Sequence, residues 1–161
     1  YFKGGDKIIN PSSFINIAEK NGMIIEIGNI ILYQSCIQAK KWQEKGYPPV
    51  LLAVNISPSQ FKQQKLIHNI AEVLEQTGFD PQFLELEITE SGIMENEKYN
   101  IKKLDELHKL GVKISIDDFG TGYSSLSKLK DYSIDTLKID KSFMSTIQSI
   151  FKSVYLHTGR G

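Results

Sequence analysis

Residues 113–125, KISIDDFGTGYSS, contain the segment around which the other elements are arranged, because polar and apolar residues alternate here up to two adjacent aspartates and then give way to glycine. Alternation of this kind predicts a strand, since successive side chains of a strand point to opposite faces. One face is then expected to carry Lys113, Ser115 and Asp117, and the other to carry Ile114, Ile116 and Asp118.

The aspartate pair at the end of this strand is the first candidate for chemistry. Asp117 and Asp118 are neighbours, and two adjacent carboxylates resist joint ionisation unless a cation or a hydrogen-bond donor stabilises them. Oxygen-rich clusters of this kind suit Mg²⁺ or Mn²⁺. An isolated Asp-Asp pair is more often a solvated turn, so its meaning depends on what the rest of the chain places beside it.

Composition limits the classes of function. The 161 residues suffice for one domain with a sizeable core, and the 19 basic and 19 acidic residues balance. The net charge therefore gives no reason to expect binding to a nucleic acid polymer or contact with a membrane. Cys36 is the single cysteine, which favours a reducing, cytoplasmic setting. The chain opens at Tyr1 without methionine, so an absent signal peptide or membrane anchor says little about the parent protein.

Helical and strand patterns alternate along the chain. Further strands are predicted over 50–56, 83–89 and 134–140. A first helix is predicted after Pro11, with Ser12 or Ser13 as its cap. A longer one is predicted over about 25–45, with Ile30, Ile31 and Trp42 in its apolar stripe. Further helices are predicted over 63–77 and 95–110, and a short one through Leu126 and Leu129. This order predicts right-handed βαβ units and a parallel sheet.

The charged rows of these strands distinguish a barrel from an open sheet. In an open sheet with helices on both faces, residues such as Glu87 and Lys138 would be buried at great cost. In a barrel the helix-facing rows are aliphatic, and the polar rows meet at the carboxyl-terminal mouth. We therefore predict an α/β fold, part of a (β/α) TIM-like barrel in which parallel strands alternate with helices.

Polar residues stand at the ends of all four predicted strands, on the same edge of the sheet. They are Asn55, Glu87, Asp117, Asp118 and Lys138. One amide oxygen, three carboxylates and one ammonium predict a site for two divalent ions that bridge a phosphodiester and activate a water, with Lys138 orienting that water. The alternative is a network of structural ion pairs that fills the mouth of the barrel.

Four ordered segments resemble the EAL domain, the bacterial cyclic di-GMP phosphodiesterase family. They are AVNIS around Asn55, LELEITES around Glu87 and Glu90, ISIDDFGTGYSSL around Asp117 and Asp118, and DTLKIDKSF around Lys138. The upstream stretches INPSSFINIAEKNGMI and QAKKWQEKG resemble the early helices of the same family. The resemblance covers the chain from about Gly4 to Met144.

The resemblance implies a modified TIM barrel that hydrolyses cyclic di-GMP to linear pGpG with two Mg²⁺ or Mn²⁺ ions. Asn55, Glu87 and Asp117 would ligate metal, and Asp117 would bridge to a second ion held with Asp118. Lys138 would contact the nucleophilic water. The remaining matched positions are Glu90 and Asp140. Glu90 would tether the loop from Phe119 to Leu126, which often forms the dimer interface in the family. Asp140 would support the site from behind the ligands.

The resemblance is incomplete at both ends. The glutamate of the Glu-Ala-Leu signature, the first strand and a substrate-binding arginine should precede Tyr1, and two further strands with another metal-binding glutamate should follow Phe143. A barrel of this class needs about 250 residues. We therefore expect 1–144 to be the central part of one EAL domain and 145–161 to be a truncated or non-matching tail, and this chain alone to be weakly active or inactive. The alternative is a degenerate EAL domain that binds cyclic di-GMP as a receptor or interaction module.

Overall fold

A parallel sheet lies at the centre of the structure, a computed structural model that describes residues 3–4, 7–94, 97–120 and 130–144. In chain order the elements are β1 (Lys3–Gly4), β2 (Lys7–Ile8), α1 (Pro11–Lys20), α2 (Met23–Glu44), β3 (Leu52–Ile56), α3 (Pro58–Phe61), α4 (Leu66–Thr77), a 3-10 turn (Pro81–Phe83), β4 (Leu84–Thr89), α5 (Glu90–Met94), α6 (Glu97–Lys109), β5 (Lys113–Phe119) and β6 (Thr136–Ile139). Within these residues the main sheet has the order β3-β4-β5-β6, and each neighbouring pair is parallel. This confirms the predicted parallel sheet with alternating helices.

The aliphatic rows of the central strands form the core. Leu84, Leu86 and Ile88 of β4 and Ile114 and Ile116 of β5 are at most 1% exposed. They pack in one cluster with apolar residues of α2, α4 and α6. Burying one aliphatic side chain of this size stabilises the fold by about 2 kcal/mol, so this face fixes the sheet against the helices and leaves the polar rows on the opposite face.

Asp118 interrupts the alternation of β5. The register shifts between Ile116 and Phe119, and Asp118 has a left-handed backbone with φ 55°. Ile116 pairs with Leu137 and Phe119 pairs with Ile139, so Ile116 and the buried Phe119 share the aliphatic face although they are three residues apart. A bulge that inserts one extra residue has this effect. The prediction that Asp118 shares a face with Ile114 and Ile116 is therefore wrong, and Asp118 is exposed.

The first helix is capped by a different residue from the predicted ones. Asn10 precedes Pro11 in an extended conformation, and its side-chain oxygen accepts a hydrogen bond from the Ser12 amide at 3.1 Å. Proline is favoured at the first helical position, and asparagine is among the best residues before it. The expected cap at Ser12 or Ser13 is therefore wrong.

One side of α2 is open in the described part of the chain. Ile30, Ile31 and Trp42, which the sequence predicted to be part of an apolar stripe, are 49%, 50% and 47% exposed. The buried residues of α2 are Ile24, Leu32, Cys36 and Ala39. Among the described strands β3 pairs only with β4. Ile31 and Trp42 line clefts that residues of β3 also line. We call Ile30, Ile31 and Trp42 the open side of α2.

α5 directly follows β4, where the sequence predicted only the end of a strand. The short helix expected through Leu126 and Leu129, and most of the proposed dimer loop from Phe119 to Leu126, lie outside the described residues.

Within the part of the chain that the structure describes, no helix has both the length and the apolar character needed to span a membrane.

Candidate metal and phosphodiester site

The strand register places three predicted metal ligands on one face of the sheet. Asn55 of β3 and Glu87 of β4 are paired residues. Asp117 of β5 pairs with Thr89, two residues beyond Glu87. Paired residues of parallel strands point to the same side of a sheet, and so do residues two apart. Asn55 and Glu87 therefore lie side by side opposite the aliphatic face, and Asp117 lies one step closer to the carboxyl-terminal end.

Lys138 of β6 contacts the same row. Its Nζ donates a hydrogen bond to Oε1 of Glu87 and lies 3.9 Å from Oε1 of Glu85. The hydrogen bond to Glu87 is the main reason why the pKa of Lys138 is raised above its ordinary value. In this structure the Lys138 ammonium is therefore the counter-ion of Glu87.

Glu85 and Ser115 are two interior residues to which the sequence analysis gave no role. Glu85 stands two residues before Glu87 in the same row, and its side chain is only 7% exposed. Ser115 pairs with Glu87 across the sheet, and its buried Oγ has no hydrogen-bond partner among the described residues. Their position in the polar row was visible in the sequence, but their burial was not.

The two aspartates are arranged by the bulge. The Asp118 amide donates a hydrogen bond to Oδ1 of Asp117 at 3.0 Å. The left-handed conformation of Asp118 is one that aspartate tolerates better than most residues. Because Phe119 takes the next aliphatic position, neither carboxylate has to enter the core, and both stay at the polar end of β5.

Glu90 connects the end of β4 to the segment that follows β5. This buried carboxylate accepts a hydrogen bond from the Gly120 amide at 2.8 Å between Oε2 and N. Gly120 has φ +96°, and a Cβ there would lie 2.4 Å from Cγ of Phe143. Only glycine fits that position without strain. Glu90 therefore holds the backbone of Gly120 at the beginning of the proposed loop.

Asp140 caps a helical turn at 141–144. Its Oδ1 accepts a hydrogen bond from the Ser142 amide at 2.7 Å, and its own amide donates to the Phe119 carbonyl at 3.1 Å. The hydrogen bonds from Ser142 hold the pKa of Asp140 below its ordinary value. Asp140 therefore links the end of β6 to the end of β5, behind the polar row.

The donor types at this edge fit a hard divalent cation, although their side chains are not gathered around one point. No three histidine, cysteine, aspartate or glutamate side chains within the described ranges are placed to hold a metal ion. Asn55, Glu87 and Asp117 nevertheless supply one amide oxygen and two carboxylates from neighbouring strands, which are ligands that Mg²⁺ and Mn²⁺ prefer. A cation bound there has to compete with Lys138 for Glu87.

Comparison with known proteins identifies relatives of the chain. A model of the EAL domain family matches residues 2–154. The signaling protein YkoW of Bacillus subtilis is 50% identical over 143 residues, which are 89% of this chain and 18% of that protein. The cyclic di-GMP phosphodiesterase NbdA of Pseudomonas aeruginosa is 40% identical over 140 residues, 87% of this chain and 18% of that protein. The chain thus spans less than a fifth of either relative.

A solved structure supports the same comparison. The structure described as PaMucR phosphodiesterase in complex with c-di-GMP superposes with a TM-score of 0.82 at 38% sequence identity. The match covers 90% of this chain and 59% of that one. The four-stranded sheet and its helices therefore have the arrangement found in that protein.

Proposed function

The chain belongs to the EAL domain family, and from this premise we propose that it is part of a divalent-metal-dependent phosphodiesterase that hydrolyses cyclic di-GMP to linear pGpG. The observation that carries the proposal is the row of oxygen donors on neighbouring strands with one ammonium beside it. In this reading 1–144 are the central part of one EAL domain. The family match extends to residue 154, into the segment 145–161.

The residues of the row have distinct proposed roles. Asn55, Glu87 and Asp117 would hold one divalent ion, and Asp117 and Asp118 would hold a second. When bound, such ions polarise the phosphoryl oxygen, lower the pKa of water and stabilise the charge that develops on the phosphate. Lys138 donates a hydrogen bond to the attacking water and thereby orients it.

Two residues support this arrangement without touching the substrate. Glu90 holds the beginning of the loop after β5 through Gly120. Asp140 fixes the end of β6, and with it the position of Lys138 two residues earlier. The homodimer contact through the loop from Phe119 to Leu126 and the cytoplasmic setting suggested by Cys36 stay predictions.

The proposed activity is tested with the full-length protein that contains this chain. We expect conversion of cyclic di-GMP to pGpG with Mg²⁺ or Mn²⁺, followed by chromatography, and loss of conversion with a chelator. Asp117→Asn should lower the rate by at least about 100-fold, because it removes the negative charge that would hold the cations, and the cations stabilise the charge that develops on the phosphate. Asp131→Asn, in an exposed turn, is the matched control. A normal rate in Asp117→Asn would contradict the role of Asp117.

A receptor that binds cyclic di-GMP without cutting it is the second candidate. The observation in its favour is that Lys138 already neutralises Glu87, so one carboxylate of the row has a partner without a metal ion. Calorimetry of cyclic di-GMP binding in the presence of a chelator, with chromatography of parallel samples that contain Mg²⁺ or Mn²⁺, separates the two functions. Binding without pGpG formation under any divalent cation supports the receptor.

A further inference from the structure

We propose that Glu85 is a positioning residue for Lys138. When Glu87 binds a divalent cation, Glu85 holds the ammonium group of Lys138. The inference rests on the proposed function, because it concerns the cation that the site would use. It starts from the two carboxylates around one ammonium: Lys138 Nζ contacts Oε1 of Glu87 directly and is 3.9 Å from Oε1 of Glu85.

The two glutamates differ in their position along the strand. Glu87 is paired with Asn55 and lies towards the carboxyl-terminal end, where Asp117 also lies. Glu85 is paired with Ala53, one step deeper in the same row. Glu87 therefore stands among the other proposed ligands, whereas Glu85 stands behind them. Of the two carboxylates beside Lys138, only Glu87 is in a position to join a cation site with Asn55.

The contact between Lys138 and Glu87 cannot persist unchanged when a cation binds to Glu87. The ammonium and the cation would compete for the same oxygen and repel each other at short distance. Lys138 would then need another anion, and Glu85 is already at ion-pair distance. The side chain of Glu85 is nearly buried, and a buried carboxylate without a partner is costly. The ion pair with Lys138 therefore offsets the cost of burying the Glu85 carboxylate.

This arrangement allows Lys138 to leave Glu87 without leaving the site. Asp117 also attracts the Lys138 ammonium, but it is itself a proposed ligand of the cation, so Glu85 is the one carboxylate among these three neighbours that stands outside the proposed ligand set. Without the Glu85 charge, Lys138 would have no such partner among them. It would then stay on Glu87 and oppose cation binding. Glu85 is thus expected to raise the affinity for the cation through Lys138, and to keep the ammonium beside the place where it orients water.

Calorimetric titration of Mn²⁺ into the full-length protein tests this role. Four proteins are compared: the natural one, Glu85→Gln, Lys138→Met and the double variant. Glu85→Gln should weaken Mn²⁺ binding about tenfold, equivalent to about 1.4 kcal/mol. In the Lys138→Met background the same substitution should change the affinity less than about threefold, because coupling between two residues disappears when one is already removed.

The double-mutant cycle separates this role from a general charge effect. If Glu85 only attracts the cation through space, Glu85→Gln weakens binding equally in both backgrounds, and the proposal is overturned. An unchanged affinity in Glu85→Gln overturns it as well. Glu75→Gln, which removes an exposed charge from α4, is the matched control and should leave the affinity unchanged.

If Glu85→Gln does not fold, Glu85→Asp takes its place, since it keeps the charge but withdraws it from Lys138 by one methylene, and it should show a smaller loss with the same dependence on Lys138. A natural protein that binds no Mn²⁺ would contradict the proposed function. Tight binding without any effect of Glu85 would contradict this inference alone.

Discussion

Ser115 is a polar residue in an environment that does not satisfy its hydroxyl group. Its hydroxyl is buried beside Glu87 in the polar row and has no hydrogen-bond partner among the described residues. Leaving a buried polar group unsatisfied costs about 1–3 kcal/mol. Ser57 is the opposite case, because its Oγ accepts a hydrogen bond from the Gln60 amide at 3.2 Å and caps α3. The two serines therefore predict opposite effects for the same substitution.

Ser115→Ala is expected to leave the free energy of unfolding unchanged or to raise it by about 1 kcal/mol, since it removes the unsatisfied hydroxyl. Ser57→Ala should lower it by about 1 kcal/mol, because the cap is lost. Urea denaturation of both variants measures the difference. A loss of stability in Ser115→Ala as large as that in Ser57→Ala would show that the Ser115 hydroxyl has a partner.

Cys36 gives a second prediction at this scale. The side chain is fully buried in α2, and burial raises the pKa of its thiol to about 11. Because the thiolate is the reactive form, native protein should react negligibly with iodoacetamide at pH 8.5, and the reaction should become fast in urea. Raising the pH from 9 towards 11 should also favour unfolding, because the unfolded thiol loses its proton first. Rapid alkylation of the folded protein at pH 8.5 would contradict the assignment.

Lys103 shows how one helix supports another at the scale of elements. It lies in α6, is buried, and donates hydrogen bonds to the carbonyls of Phe61 and Gln63 at 2.6 and 3.1 Å. Its Nζ also stands 4.8 Å from the centre of the Tyr99 ring. The last carbonyls of a helix have no partner inside that helix, so Lys103 closes the end of α3, the helix that follows Asn55 and β3.

Lys103→Met should therefore destabilise the protein by about 2–3 kcal/mol, because hydrogen bonds from a charged donor to buried carbonyls are lost. Lys102→Met is the matched control, since the neighbouring side chain is 79% exposed and its ion pair with Glu106 is long, at 4.0 Å. Its effect should stay below about 0.5 kcal/mol. Thermal and urea unfolding of the pair decide the point, and equal effects would remove the proposed support of α3.

The elements were largely predictable because their signals are local. The alternation in β4 and β5 and the apolar spacing in α4 and α6 reproduce the observed elements to within a few residues. α5 was not predicted, because five residues carry no clear period. The bulge at Asp118 was not predicted either, since it depends on how Phe119 pairs with Ile139, a contact that no local pattern encodes.

The same limit applies to the candidate site. The strand ends indicated that Asn55, Glu87, Asp117 and Lys138 share an edge, because parallel strands place their carboxyl ends together. The partner of Lys138 could not be read from the sequence, since it is selected by distances across two strands. Glu85 gave no signal beyond its place in the polar row, because only packing in three dimensions buries it.

At the scale of the whole molecule, the structure describes four parallel strands with an open side of α2 next to β3. A closed barrel of this class has eight strands, and its active site draws on the ends of several of them. Ligands on four strands are held less firmly than ligands on a closed barrel, and firm placement is what a metal site needs. The proposed activity therefore belongs to the full-length protein more than to the isolated chain.

The isolated 161-residue chain is expected to bind Mn²⁺ at least about tenfold more weakly than the full-length protein, and to hydrolyse cyclic di-GMP much more slowly, because fewer donors are held in place. Parallel calorimetry and hydrolysis assays on the two proteins measure both effects. Equal affinity and rate would show that these 161 residues suffice, or that a second chain completes the site.

The open side of α2 also has an optical consequence. Trp42, the single tryptophan of the chain, lies on that side and is half-exposed. Indole emission moves to shorter wavelength when the ring leaves water, so a segment that packs over the Trp42 side of α2 shifts the intrinsic fluorescence of this chain. The spectrum of Trp42 is thus a built-in reporter of whether α2 is covered, and it needs no label.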